Sequence, residues 1–112
     1  MRELNKGDIP VIILEILGRE ACHGYAIARE IERQSDQVLQ LREGSLYPAL
    51  RVLENNGLIE GEWEIQSSGP ARKNYRLTEL GRVELEKRKQ DWQSYVLLMG
   101  KILGGNNAKH TA

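Results

Sequence analysis

Tyr47, Arg51 and Asn55 recur at four-residue intervals, so on a helix they share one arc, with Pro48 beside them. A phenol, a guanidinium and an amide on one exposed helix face can bond to base edges or to phosphate oxygens. A second group lies from Gly69 to Arg76, where Arg72, Lys73 and Arg76 stand together without an acid, just downstream of Glu60, Glu62 and Glu64. The whole chain has 16 Lys+Arg against 16 Asp+Glu and no net charge, but cations focused in one place can still meet a phosphate backbone. Other chemistry is thinly supplied. Cys22 is the only cysteine, which excludes an intrachain disulfide and a multi-cysteine zinc site, and it reads as a small buried hydrophobe or, less simply, a redox thiol. His23 has no companion ligands, so no metal is expected, and it reads as a structural residue bonding near a helix start. With no nucleophile, base and orienter set and no phosphate-binding glycine loop, the sequence does not describe an enzyme, and it calls for no cofactor.

These side chains need elements to hold them. The 112 residues suit one domain, and 40% hydrophobic with 29% charged residues is a globular balance. No apolar run approaches the roughly 18 to 20 residues of a membrane span, and the first residues lack a signal-peptide layout. A soluble cytoplasmic protein with no membrane partner is expected. A first helix from about Ile9 to Gly18 is apolar almost all round and must be central, with Pro10 tolerated in its first turn. A second helix, from about Tyr25 to Ser35, has an apolar stripe of Ile27, Ala28 and Ile31. The third runs from about Ser45, its N-cap, to Asn56, placing Pro48 in the first turn and Leu46, Ala49, Leu50 and Leu53 on the core face. Leu58 to Gln66 and Arg72 to Leu77 read as a hairpin around Ser67-Ser68-Gly69-Pro70, with Trp63 packed beneath it.

Thr78 caps a last helix from Glu79 to about Leu103, roughly 37 Å long at 1.5 Å per residue, which exceeds what one small domain requires. Gly81 would allow its close approach to the hairpin. From Trp92 onward it bears a stripe of Trp92, Tyr95, Val96, Met99, Ile102 and Leu103. The stripe either folds back on its own domain or pairs with a second copy, and a two-fold homodimer is the commoner solution. Residues 1–78 then form a DNA-binding region and 79–103 a dimerisation helix of the same domain. Residues 104–112 have no core pattern and are expected to be a disordered tail. The fold class is mainly α with a small β hairpin: three helices, a hairpin and a long helix is the order of a winged helix-turn-helix, which sets the third helix and the hairpin against DNA.

The motifs resemble a known family. His23-Gly24-Tyr25, Gly44-Ser45-Leu46-Tyr47-Pro48-Ala49-Leu50 through Leu53-Glu54, Gly57-Leu58-Ile59, Trp63, Gly69-Pro70 with Arg72-Lys73, and Tyr75-Arg76-Leu77-Thr78 with Gly81 look like the PadR family of bacterial transcriptional regulators. The resemblance covers about residues 9 to 103. It implies a homodimeric repressor of the short subfamily, bound to double-stranded DNA and released by a small hydrophobic or aromatic effector. It also implies recognition-helix contacts at Ser45, Tyr47, Pro48 and Arg51, a helix-two contact at Tyr25, and wing contacts at Arg72 and Lys73. Effector and dimer contacts fall on Trp92, Tyr95, Val96 and Met99. Asn74 departs from the family, which often has two adjacent tyrosines after the Arg-Lys pair. A different class, a winged-helix module whose third helix packs on a protein and never touches DNA, draws some support from the neutral net charge.

Overall fold

The computed structural model describes residues 1–104. In chain order it has β1 (Arg2–Glu3), a 3-10 turn (Lys6–Asp8), α1 (Ile9–Arg19), β2 (Cys22–His23), α2 (Gly24–Gln34), β3 (Leu39–Gln40), α3 (Glu43–Asn55), β4 (Ile59–Glu64), β5 (Arg72–Leu77) and α4 (Glu79–Leu103). This is a mainly helical winged-helix plan with a small sheet and a long last helix, as the element order predicts. The expected tail, apart from Gly104, lies outside the described residues.

The core forms around α1, whose Ile9, Ile13, Leu14, Ile16 and Leu17 are all buried, as its apolar circumference demands. The helix runs through Gly18 to Arg19 instead of stopping at the glycine. A Cβ at Gly18 would lie 3.3 Å from a Leu77 methyl and 3.4 Å from one of Leu85, so the missing side chain lets β5 and α4 close on α1. Ile27 and Ile31 of α2, Leu46, Leu50 and Leu53 of α3, and Tyr75 and Leu77 of β5 complete this core.

α3 begins two residues before the expected Ser45. The Arg42 carbonyl accepts from the amides of both Ser45 and Leu46, and Ser45, half-buried in the first turn, caps nothing. Pro48 therefore lies inside the helix. It has no amide to offer the Gly44 carbonyl one turn back, and that group sits on the exposed side, where water can take the proline's place.

β4 and β5 pair antiparallel from Ile59↔Leu77 to Glu64↔Arg72, the hairpin read in the sequence. β2 adds a third strand on the other side of β5, through Cys22↔Tyr75 and His23↔Asn74, so the order is β2-β5-β4. β1 pairs in parallel with β3 and ties down the start of the chain. These short strands have no sequence signal, because two residues cannot display a period of two.

The first turns of α4 share the core. Thr78 caps them by accepting from the Gly81 amide at 3.0 Å, and a Cβ at Gly81 would overlap the Leu58 carbonyl. Arg88 bonds Glu84 at 2.6 Å as its spacing predicts, whereas Lys89 reaches across to Glu15 of α1 at 2.9 Å. Beyond that tie the helix leaves the domain, which stretches the molecule to 61 × 31 × 21 Å. Among the described residues, no helix is long and apolar enough to cross a membrane.

Candidate nucleic-acid interface

The core leucines of α3 turn Tyr47, Pro48, Arg51 and Asn55 outward. The Tyr47 ring lies against Gly24 at the start of α2, where a Cβ would stand 3.0 Å from both the ring and its hydroxyl. Gly24 thus allows the outer arc of α3 to meet the end of α2 that carries Tyr25. Tyr25 is 64% exposed, and Arg29, one turn on, lies with its guanidinium 5.6 Å from the ring centroid and donates to the hydroxyl at 3.3 Å. Read along the chain, Arg29 is one of several charges on the outer side of the second helix. Its four-residue spacing from Tyr25 is the signal that would have singled it out.

Strand pleating divides the wing into two faces. Gly61, Trp63, Lys73 and Tyr75 share one; Glu60, Glu62, Glu64, Arg72, Asn74 and Arg76 share the other. Arg72 and Lys73, adjacent in sequence, therefore point in opposite directions. On the first face Lys73 Nζ donates to Glu54 Oε1 of α3 at 2.9 Å, a bond that holds its pKa above the ordinary lysine range. Tyr75 is buried there, and burial pushes its phenol pKa up, while Tyr47 and Arg51 are close enough to act on it electrostatically. Trp63, expected beneath the wing, is 66% exposed, because the hairpin at that point has run past the core.

On the second face Arg76 donates to Glu60 at 2.7 Å. Glu64, opposite Arg72, is taken by His23 Nε2 at 3.0 Å. His23 occupies the N-cap position of α2 but makes no cap bond there; its side chain ties β2 to the wing. Cys22 is half-buried, and desolvation raises its thiol pKa, which disfavours the reactive thiolate.

These pairings sort the cations of a chain with no net charge. Arg33, Arg42, Lys73, Arg76, Arg88 and Lys89 each hold a carboxylate. Arg2, Lys6, Arg29, Arg51, Arg72, Lys87 and Lys101 form no ion pair among the described residues, and of these Arg29, Arg51 and Arg72 fall one each on α2, α3 and the wing. Of the three cations between Gly69 and Arg76, only Arg72 is left uncommitted.

Along α4, Trp92, Tyr95 and Val96 are exposed and Met99 is half-buried. Trp92 borders an open groove of about 600 Å³ whose apolar wall includes Val11, Ile12, Ile16, Ile31 and Leu39. Tyr95, Val96 and Met99 lie farther along the helix and do not line it. Glu15 stands at the groove's edge, and hydrogen bonds from Lys89 and Arg19 hold its carboxyl below the usual carboxylate range.

Residues 13–87 match the family model described as the transcriptional regulator PadR-like family. The chain belongs to that family. It is 33% identical over 112 residues to transcriptional regulator Rv3488 of Mycobacterium tuberculosis, covering 100% of this chain and 96% of that one. Among solved structures, a PadR family transcription regulator from Clostridium difficile is 37% identical with a TM-score of 0.74, covering 86% of this chain and 98% of that one. A transcriptional regulator from Clostridium thermocellum superposes with a TM-score of 0.79 at 27% identity, covering 85% and 89%. This chain is therefore a winged-helix, DNA-binding regulator of transcription, in a family of regulators and not of enzymes.

Proposed function

We propose that the chain is a homodimeric repressor whose two α3 helices enter successive major grooves of an inverted-repeat operator. The observation that carries this reading is the placement of the uncommitted arginines. Arg51 lies on the outer arc of α3, Arg29 beside Tyr25 on α2, and Arg72 on the wing, while neighbouring cations are held by carboxylates. Ser45, Tyr47, Pro48 and Arg51 would face the groove and its edges. Tyr25 and Arg29 would meet the backbone that α2 crosses, and Arg72 the backbone flanking the wing. Lys73, the other wing contact that the family resemblance implies, lies on the opposite face of the wing from Arg72, turned toward Glu54 of α3.

Residues 1–78 serve in this reading as the DNA-reading region and 79–103 as the arm that pairs two copies through Trp92, Tyr95, Val96 and Met99. A small hydrophobic or aromatic effector would lodge by Trp92. It can release DNA only to the extent that it binds one dimer arrangement better than the other. Such a regulator works in the cytoplasm, beside the chromosome.

Footprinting on the chain's own upstream DNA and on a genomic fragment pool tests the reading. Two protected half-sites about one helical turn apart, roughly 34 to 36 Å, are expected, with loss of protection in Arg51→Ala. No protected fragment at low salt would overturn it. The neutral net charge would then favour a winged-helix module that binds a protein through α3.

A further inference from the structure

Lys73 follows Arg72 in sequence but occupies a built enclosure. Besides the Glu54 carboxylate at 2.9 Å, its ammonium lies 5.8 Å from the Trp63 ring centroid and 5.5 Å from that of Tyr75, and its side chain is only 25% exposed. The two ring faces attract the cation electrostatically. Its stem crosses Gly61, where any Cβ would collide with the Lys73 side chain, so β4 is open at the position the stem needs. Trp63 is its direct partner across the hairpin. One ammonium is thus gripped from α3, β4 and β5 together. To bind a phosphate it would have to leave a carboxylate, and the pair as a unit brings no net charge to DNA.

We infer that Lys73 is a positioning residue that braces the wing against α3 through Glu54 and makes no phosphate contact of its own. The functional consequence rests on the DNA-binding reading; the brace itself does not. Only molecules with the wing in place can use Arg72, so loosening the brace lowers apparent affinity by the fraction of misplaced wings. For an ion pair of this exposure that is about two- to fivefold.

The test compares Glu54→Gln, Lys73→Gln, Gly61→Ala and the reversed pair Glu54→Lys/Lys73→Glu, with thermal melting as a check on folding. DNA binding is measured across salt concentrations, and amide hydrogen exchange over residues 59–77 is followed without DNA. Each of the three single variants should bind about two- to fivefold more weakly with an unchanged salt slope, and should exchange faster in the wing. The reversed pair should recover both properties. Gly61→Ala keeps every charge and so separates displacement of the stem from any change in charge. The inference is overturned if Lys73→Gln reduces the salt slope by about 1 per half-site while Glu54→Gln tightens binding, the behaviour of a phosphate contact released from its carboxylate. If the unaltered protein bound no DNA, the DNA reading would fall and wing exchange would still decide the brace: unchanged exchange in both Glu54→Gln and Lys73→Gln would refute it.

Discussion

Raising salt from about 50 to about 200 mM tests the sorting of cations most directly, because each phosphate neutralised contributes about 0.9 to the slope of log affinity against log salt. Arg29, Arg51 and Arg72 have no carboxylate among the described residues, so α2, α3 and the wing of a two-fold dimer together offer six uncommitted guanidinium groups. Six contacts give a slope near −5, and the fourfold rise in salt should weaken binding on the order of a thousandfold. Had Lys73 and Arg76 been available as well, ten contacts would give a slope near −9 and a loss of roughly a hundred times more. Fluorescence anisotropy of a labelled operator duplex at five salt concentrations distinguishes the two. Arg29→Ala, Arg51→Ala and Arg72→Ala, each present twice in the dimer, should each make the slope shallower by about 1.8. A slope shallower than about −2, or one unmoved by all three substitutions, refutes the reasoning. A slope near −9 that returned to near −5 in Lys73→Gln/Arg76→Gln would show that the Glu54–Lys73 and Glu60–Arg76 pairs open on DNA.

Gly81→Ala should destabilise the fold by about 1–3 kcal/mol, since the new Cβ meets the Leu58 carbonyl and a Leu77 methyl, and circular-dichroism melting at unchanged stability would show that α4 can slide to make room. Trp92→Ala/Tyr95→Ala should move the protein to the monomer in sedimentation with its helical spectrum intact; a persistent dimer would place the interface elsewhere. The lowered Glu15 pKa means that its bonds to Lys89 and Arg19 add stability above the ordinary carboxylate range, and this is lost as pH falls through the lowered folded value. The melting temperature of the unaltered protein should therefore drop more steeply in acid than that of Glu15→Gln, and parallel curves would remove this tie between α1 and α4.

Much of the fold was legible because its signals are local. The all-round apolar character of Ile9 to Leu17 required a central helix, and Thr78 marked the start of α4. The alternation after Leu58 required a strand. The misplacements are also local in cause. Ser45 looked like a cap because its hydroxyl could serve as one, yet the Arg42 carbonyl already supplies the first turn's acceptor. Trp63 looked like a core residue by type, but whether a hairpin position is covered depends on how far the strand runs past the helices beneath it.

The sequence by itself determined the order of the helices and the hairpin, the core faces of the second and third helices, the family and the arc that Tyr47 and Arg51 share, because periodicity and motif spacing are properties of neighbouring residues. Only the tertiary structure decided which charges are available. Arg72 and Lys73 are equivalent when read along the chain, and the pleat turns them to opposite faces, one toward Glu54 of α3 and the other past a glutamate already held by His23. A charge is neutralised by whichever group lies within a few ångströms, and Glu54 and Lys73 are brought together by packing across 19 residues of sequence.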